Sequence, residues 1–141
     1  MKFNRFLKFL ALLFVGVLFV FWLWAKDKYV VPIAMYHHVS EGRVPHNLNV
    51  VDTNVFESHM AFIQKHGYQV ISLDELVTGI QQGRKFLHKT VVLTFDDAYA
   101  DFVSTAFPVL QRHRFGSTMF VPTGYMGGFA DWDRDFGRRR R

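Results

Sequence analysis

Two adjacent carboxylates, Asp96 and Asp97, close an apolar β-type run, Val91-Val92-Leu93-Thr94-Phe95. As anions they repel each other, so a fold that holds both has a use for the pair. Three uses are open on the local pattern. A cation can sit between the carboxylates, a proton can be shared by them, or one of them can cap the helix that follows. A strand that ends in charged residues delivers them to one edge of a sheet or barrel. In α/β folds the C-terminal strand edge is where sites are built. A second group with chemical potential, His37-His38-Val39, follows another apolar run, Tyr29 to Tyr36.

The elements that must position these groups alternate along the chain. Tyr29 to Tyr36 is β-branched and apolar and reads as a first strand. Ser40 to Asn49, with Gly42, Pro45 and two asparagines, reads as a loop. Thr53 or Asn54 can cap a helix over Val55 to His66, which Gly67 stops. Tyr68 to Ile71 is a short strand. Ser72-Leu73-Asp74-Glu75 fits a capping box for a helix ending near Gly83. The strand Thr90 to Thr94 comes next, then a helical spacing over Asp101 to His113. A strand over Ser117 to Val121 and a glycine-rich loop, Gly124 to Gly128, complete the series. This order predicts an α/β fold with a largely parallel sheet.

Composition bounds the function. At 141 residues there is room for one modest domain, and the first part is not available to it. The absence of cysteine excludes disulfides and thiolate zinc sites. The formal charge is +5, but four of those charges are Arg138 to Arg141 at the very end. The rest is close to balanced, so no nucleic-acid partner is expected. The N-terminus reads as a membrane segment. Lys2, Arg5 and Lys8 precede an uncharged apolar run from Phe9 to Ala25, and Phe6 and Leu7 extend it if Lys8 snorkels. The run alone spans roughly 25 Å as a helix, just short of a hydrocarbon core. Trp22 and Trp24 lie where an aromatic belt would. The bulky Phe21-Trp22-Leu23-Trp24 stretch lacks the small residues of a cleavage site, which favours an uncleaved anchor over a cleaved signal. The basic flank places the N-terminus inside and the remaining chain outside, although Lys26 and Lys28 add positive charge on the outer side.

Tyr36-His37-His38-Val39, Thr94-Phe95-Asp96-Asp97 and Ser117-Thr118-Met119-Phe120-Val121-Pro122-Thr123 together resemble the first third to half of a polysaccharide deacetylase. This is the family with the NodB homology domain, carbohydrate esterase family 4, and the likeness covers roughly residues 31–132. The resemblance implies a partial irregular (β/α) barrel of the NodB type, preceded here by one transmembrane helix. It implies removal of acetyl groups from N-acetylated amino-sugar polymers with a divalent metal, zinc being the expected one. Carried over residue by residue, it makes Asp96 the general base and Asp97 a metal ligand. It also places His37 as a site neighbour at the mouth of the first strand, with a histidine satisfied at a strand end as the alternative. His38 would point to the other face of that strand. The family usually has glycine after the two aspartates, and Ala98 fits there if its φ stays negative.

The family's second motif, a His-x-x-x-His element that supplies two metal ligands, would lie downstream of Trp132. The seven histidines, at positions 37, 38, 46, 59, 66, 88 and 113, do not have that spacing. Asp97 alone falls short of the roughly three protein ligands a catalytic zinc takes. Metal binding is therefore expected to be weak or absent in this chain. The expected organisation is residues 1–28 as basic flank and anchor, 29–136 as the N-terminal part of a deacetylase domain, and 137–141 as a basic tail. Two functions follow: a membrane-anchored deacetylase acting outside the cytoplasm, or a truncated, catalytically inactive relative. A barrel lacking strands would leave Phe102, Phe107, Leu110 and Phe115 short of partners. The anchor itself is testable. A reporter fused after Lys28 is expected on the extracytoplasmic side, with residues 6–25 retained in membrane lipid. A mature chain starting near residue 26 overturns that expectation.

Overall fold

The computed structural model describes residues 2–25, 29–42, 49–86 and 89–128, so the arginine tail lies outside the described residues. The chain divides into two compact units at Val30–Val31. The first is helix α1, Lys2–Ala25. Within it Phe6–Ala25 is a stretch of 20 residues with mean hydropathy 2.6, long and apolar enough to cross a membrane by length and composition. At helical rise it spans about 30 Å, the thickness of a hydrocarbon core. Rings three residues apart meet on its surface, Phe19 with Trp22 and Phe21 with Trp24.

The second unit is built on β5, Thr90–Phe95, in which every residue is buried. Parallel strand β1 (Ile33–Tyr36) pairs with it in the register Tyr36 to Phe95. β4 (Gln69–Ile71) pairs with its first half and β6 (Thr118–Met119) with its last two residues. Val92 faces both Ile33 and Ile71, and Phe95 faces both Tyr36 and Met119. So β1 holds one edge of β5, and β4 and β6 share the other. The expected α/β class with a parallel sheet is what forms. Among the described residues the sheet is open, with four strands.

Side-chain alternation along β5 sorts the helices. Val91, Leu93 and Phe95 meet Phe56, Met60 and Ile63 of α2 (Thr53–Lys65) and Val109 and Leu110 of α4 (Phe107–His113). Val92, on the opposite face, meets Ile71, Leu76 of α3 (Leu73–Gln81) and Phe86. Tyr36, Phe56 and Phe95 pack as edge-on and stacked rings with centroids 4.9 to 5.9 Å apart. Burying each such side chain contributes roughly 1.5–3 kcal/mol. Of the four side chains expected to lack partners, Leu110 is buried and Phe102 and Phe115 pack on this core. Only Phe107 stands exposed. The local packing of α4 on β5 and α2 is enough to cover the other three.

Other sequence expectations are refined. The Ser72 half of the capping box forms, with Glu75 N donating to Ser72 Oγ at 3.0 Å, while the Glu75 carboxylate accepts from Arg84 at 3.2 Å. The cap of α2 is Asp52, one residue earlier than expected, because its carboxylate accepts from Asn54 N at 2.9 Å and from Gly42 N at 3.0 Å. These backbone donors hold the Asp52 carboxyl below its ordinary value. Ser40, at the start of the expected 40–49 loop, belongs to a strand, and a second strand begins directly after the loop. β2 (His38–Ser40) and β3 (Val50–Asp52) pair in parallel as a separate two-stranded sheet. The expected helix over Asp101 to His113 opens as a π-helical turn, Phe102–Ala106, before becoming α4. π turns often mark functional positions.

The turn after β5 departs from expectation. Asp97 has φ +69° and Ala98 has φ +48°, so two successive non-glycine residues are left-handed. The condition under which alanine would fit after the two aspartates is not met. A Cβ in this region crowds the backbone and costs roughly 1–2 kcal/mol per residue. Ala98→Gly is expected to raise stability by about 1 kcal/mol, read as a higher denaturant midpoint at unchanged slope. A lower midpoint would mean that the left-handed turn is not strained.

α2 and α4 are also tied through Glu57. His113 Nε2 donates to Glu57 Oε1 at 2.7 Å, and the Arg112 guanidinium donates to Oε2. The hydrogen bond from His113, then that from Arg112, holds the Glu57 carboxyl below its ordinary value of 4.5. A carboxylate with a depressed folded-state pKa contributes stability above its unfolded value and loses it as pH falls through the folded one. Glu57 is partly exposed, so solvent screens the tie and the contribution is small. The stability gap between the native chain and Glu57→Gln is expected to be full above pH 4.5 and to shrink as pH falls below it. A gap constant across that range would show that the ion pair does not stabilise the fold.

Candidate active site at the end of β5

The parallel ladder between β1 and β5 runs one residue past Phe95, because Asp96 N donates to Tyr36 O at 2.9 Å. On the other edge Phe120 N donates to Phe95 O at 2.8 Å. The strand is thus clamped on both sides at the point where its burial ends. Asp96, Asp97 and Ala98 are half-buried, and Tyr99 is buried again. The two aspartates therefore stand at the C-terminal edge of the sheet, as a strand ending in carboxylates requires. Asp96 Oδ1 is buried without a hydrogen bond among the described residues. A buried acceptor without a donor carries a desolvation cost that a donor brought to it would relieve.

His37 lies in the bend between β1 and β2 and is half-buried. Its neighbour Tyr36 carries the carbonyl that holds Asp96, so His37 and the aspartates share one sheet edge. The Tyr36 side chain faces the core, where its hydroxyl donates to His59 Nδ1 at 3.2 Å and burial pushes its pKa up.

His38 opens β2 after the bend at His37, and it is buried while His37 is half-buried. The His38 side chain is 3% exposed, Nδ1 donates to Asp101 Oδ2 at 2.7 Å, and its ring stacks on Tyr99 with centroids 3.5 Å apart. Neither this contact nor Asp101 was foreseen. The one signal in the sequence is a further carboxylate, Asp101, just past the Asp96-Asp97 pair, where a helix was expected to start.

The fit to a metal is poor on these residues. Among the described residues no three His, Cys, Asp or Glu side chains come together in a way that could hold an ion. Asp96 and Asp97 offer oxygen donors only, and a catalytic zinc takes about three protein ligands, commonly with histidine among them. The described residues therefore do not make a zinc site.

With this geometry, comparison with known proteins is informative. The polysaccharide deacetylase family model matches residues 83–134, which include β5 and the turn after it. YxkH of Bacillus subtilis, assigned to the polysaccharide deacetylases, is 34% identical over 100 residues, covering 71% of this chain and 34% of YxkH. The poly-β-1,6-N-acetyl-D-glucosamine N-deacetylase of Escherichia coli K12 is 29% identical over 89 residues, covering 63% of this chain and 13% of that protein. The solved structure of the Streptococcus pyogenes deacetylase PplD, in complex with acetate, aligns with a TM-score of 0.60 and 30% identity, over 69% of this chain and 44% of PplD. IcaB from Ammonifex degensii shares the fold, with a TM-score of 0.61 at 23% identity, over 72% of this chain and 41% of IcaB. The chain thus spans about a third of the length of YxkH and less of the Escherichia coli enzyme. The strand-edge aspartates, the family match through them and the shared fold lead to one conclusion: the chain carries part of a polysaccharide deacetylase domain of the NodB type.

Proposed function

We propose that this chain contributes the first part of a membrane-anchored polysaccharide deacetylase, which hydrolyses N-acetyl groups on an amino-sugar polymer outside the cytoplasm. The observation that carries the reading is the Asp96-Asp97 pair on a left-handed turn at the sheet edge, with Asp96 Oδ1 buried and unpartnered. Such an oxygen suits a general base. In this reading Asp96 takes a proton from water as the water oxygen bonds to the acetamide carbonyl carbon. The C–N bond then breaks, the proton passes to the departing amine, and acetate and a free amino sugar result. His37, on the same edge, is a site neighbour that contacts the polymer.

Asp97 is proposed as one ligand of the divalent metal, zinc, that the family resemblance implies. Its companions are not among the described residues, so this turn supplies the base and one carboxylate but no group to stabilise the oxyanion. The open sheet is proposed as one arc of the (β/α) barrel, within a domain over residues 29–136. Residues 1–28 are proposed as flank and anchor, with residues 6–25 in lipid. The E. coli relative is a deacetylase of poly-β-1,6-N-acetyl-D-glucosamine, which supports an N-acetylglucosamine polymer as the substrate class.

A second reading, that the chain by itself is inactive, is favoured by the lack of a three-ligand cluster among the described residues. The two readings part in one experiment. The detergent-solubilised chain alone is expected to bind zinc weakly and to release no acetate from a chitin oligomer. A chimera that adds the downstream segment of YxkH is expected to release acetate. Asp96→Ala should lower that rate about 10²–10⁴-fold, the contribution of a general base. Full activity after Asp96→Ala would remove Asp96 as the base, and zinc affinity undiminished by Asp97→Ala would remove Asp97 as a ligand. Tight binding and acetate release by the chain alone would overturn the inactive reading.

A further inference from the structure

We propose that His38 and Asp101 form a positioning pair that holds the Asp96–Ala98 turn in its left-handed shape. The proposal rests on the reading of that turn as part of the active site. Three observations carry it. The short segment Tyr36–His38 grips the turn at both ends. Tyr36 O accepts Asp96 N before it, and His38 stacks on Tyr99 and donates to Asp101 after it. Between the grips lie Asp97 and Ala98, both left-handed without being glycine. Residues of that kind hold such a conformation only where the surroundings over-determine it.

The grip is reinforced from the adjoining helix. The Thr105 hydroxyl is shared between the carbonyls of Val39 and Asp101, linking β2 to the start of the π turn. The pair is also poorly built for stability alone. Asp101 Oδ1 is buried with no hydrogen bond among the described residues, so one oxygen of the carboxylate is left uncompensated. A buried ion pair or hydrogen-bonded pair of this sort is weak evidence of stabilisation and better evidence of a fixed geometry. Without the grip, Asp97 and Ala98 are free to return to negative φ. The Asp97 carboxylate would then swing away from the edge that Asp96 occupies.

The test reads the turn itself. A residue with φ near +60° gives a strong intraresidue HN–Hα Overhauser effect in NMR, and one with negative φ gives a weak one. In the isotope-labelled full chain in detergent micelles, Asp97 and Ala98 are expected to show the strong signal. His38→Phe keeps an aromatic ring on Tyr99 but removes the donor, and Asp101→Asn weakens the acceptor. Both are expected to lose the strong signal at Asp97 while the amides of β5 and α4 keep their native positions. Adding Ala98→Gly to His38→Phe is expected to restore the signal at Asp97, since glycine takes positive φ freely. A merely structural role for the pair would not be rescued at that one residue.

If His38→Phe fails to fold, His38→Gln, which keeps a donor within reach, replaces it and is expected to retain the signal. Its loss there, with the fold intact, counts against the proposal. Persistence of the strong signal in folded His38→Phe and Asp101→Asn overturns the proposal outright. A Mn²⁺ titration followed by line broadening separates a ligand from a positioner. If His38→Phe strengthens the broadening near Asp101 and Asp101→Asn abolishes it, Asp101 is itself a ligand and the positioning role fails. None of these signals requires turnover, so the proposal can fail while the deacetylase reading stands, and the reverse.

Discussion

Strand β5 is the constraint from which the second unit follows. Each of its residues from Thr90 to Phe95 is buried, and three strands hydrogen-bond to it. A strand buried on both faces reads as a continuous apolar run, and Val91-Val92-Leu93 does so. Its alternation sends Val91, Leu93 and Phe95 toward α2 and α4 and Val92 toward α3. Where that burial stops, the chain must change direction, and it does so at two carboxylates. The candidate site lies where the C-terminal end of the most firmly held strand meets solvent.

That placement explains how a costly turn persists. Tyr36 and Phe120 clamp the backbone at Asp96 and Phe95 from opposite edges. A rigid strand end can carry local strain that a mobile loop would relax. Two kinds of polar tie flank this region and differ in character. Glu57 with His113 and Arg112 is a partly exposed tie between helices, and its carboxyl is held low by donors. His38 with Asp101 is buried and leaves one oxygen uncompensated. The first behaves as an ordinary surface tie with a small contribution. The second joins residues far apart in sequence directly behind the aspartates, where geometry matters more than net stability.

The chemistry is divided in a way that matches the lengths involved. The described residues hold a base candidate, one further carboxylate and a histidine on a shared edge, and they hold no three-ligand metal cluster. The relatives that carry the named activity are longer, and this chain spans about a third of YxkH. Asp96 and Asp97 offer oxygen donors alone, which give little preference for zinc over magnesium. A base without an electrophile does little to an amide, whose carbonyl must be polarised before water adds.

Much of this was legible in the residues. The apolar run of β5, the Ser72 cap of α3, the α/β alternation and the apolar N-terminal helix all depend on patterns within a few residues of chain, and each formed. The carboxylate pair at a strand end was legible for the same reason. What escaped the sequence depends on contacts across it. β2 and β3 pair across residues read as a loop. His38 meets an aspartate 63 residues away. The positive φ of Asp97 and Ala98 contradicts what a Cβ prefers locally. Local sequence determines where hydrogen-bonding periods begin and end, because those energies are set by near neighbours. The sign of a strained φ and the partner of a buried histidine are decided only when packing against β5 outweighs the local preference.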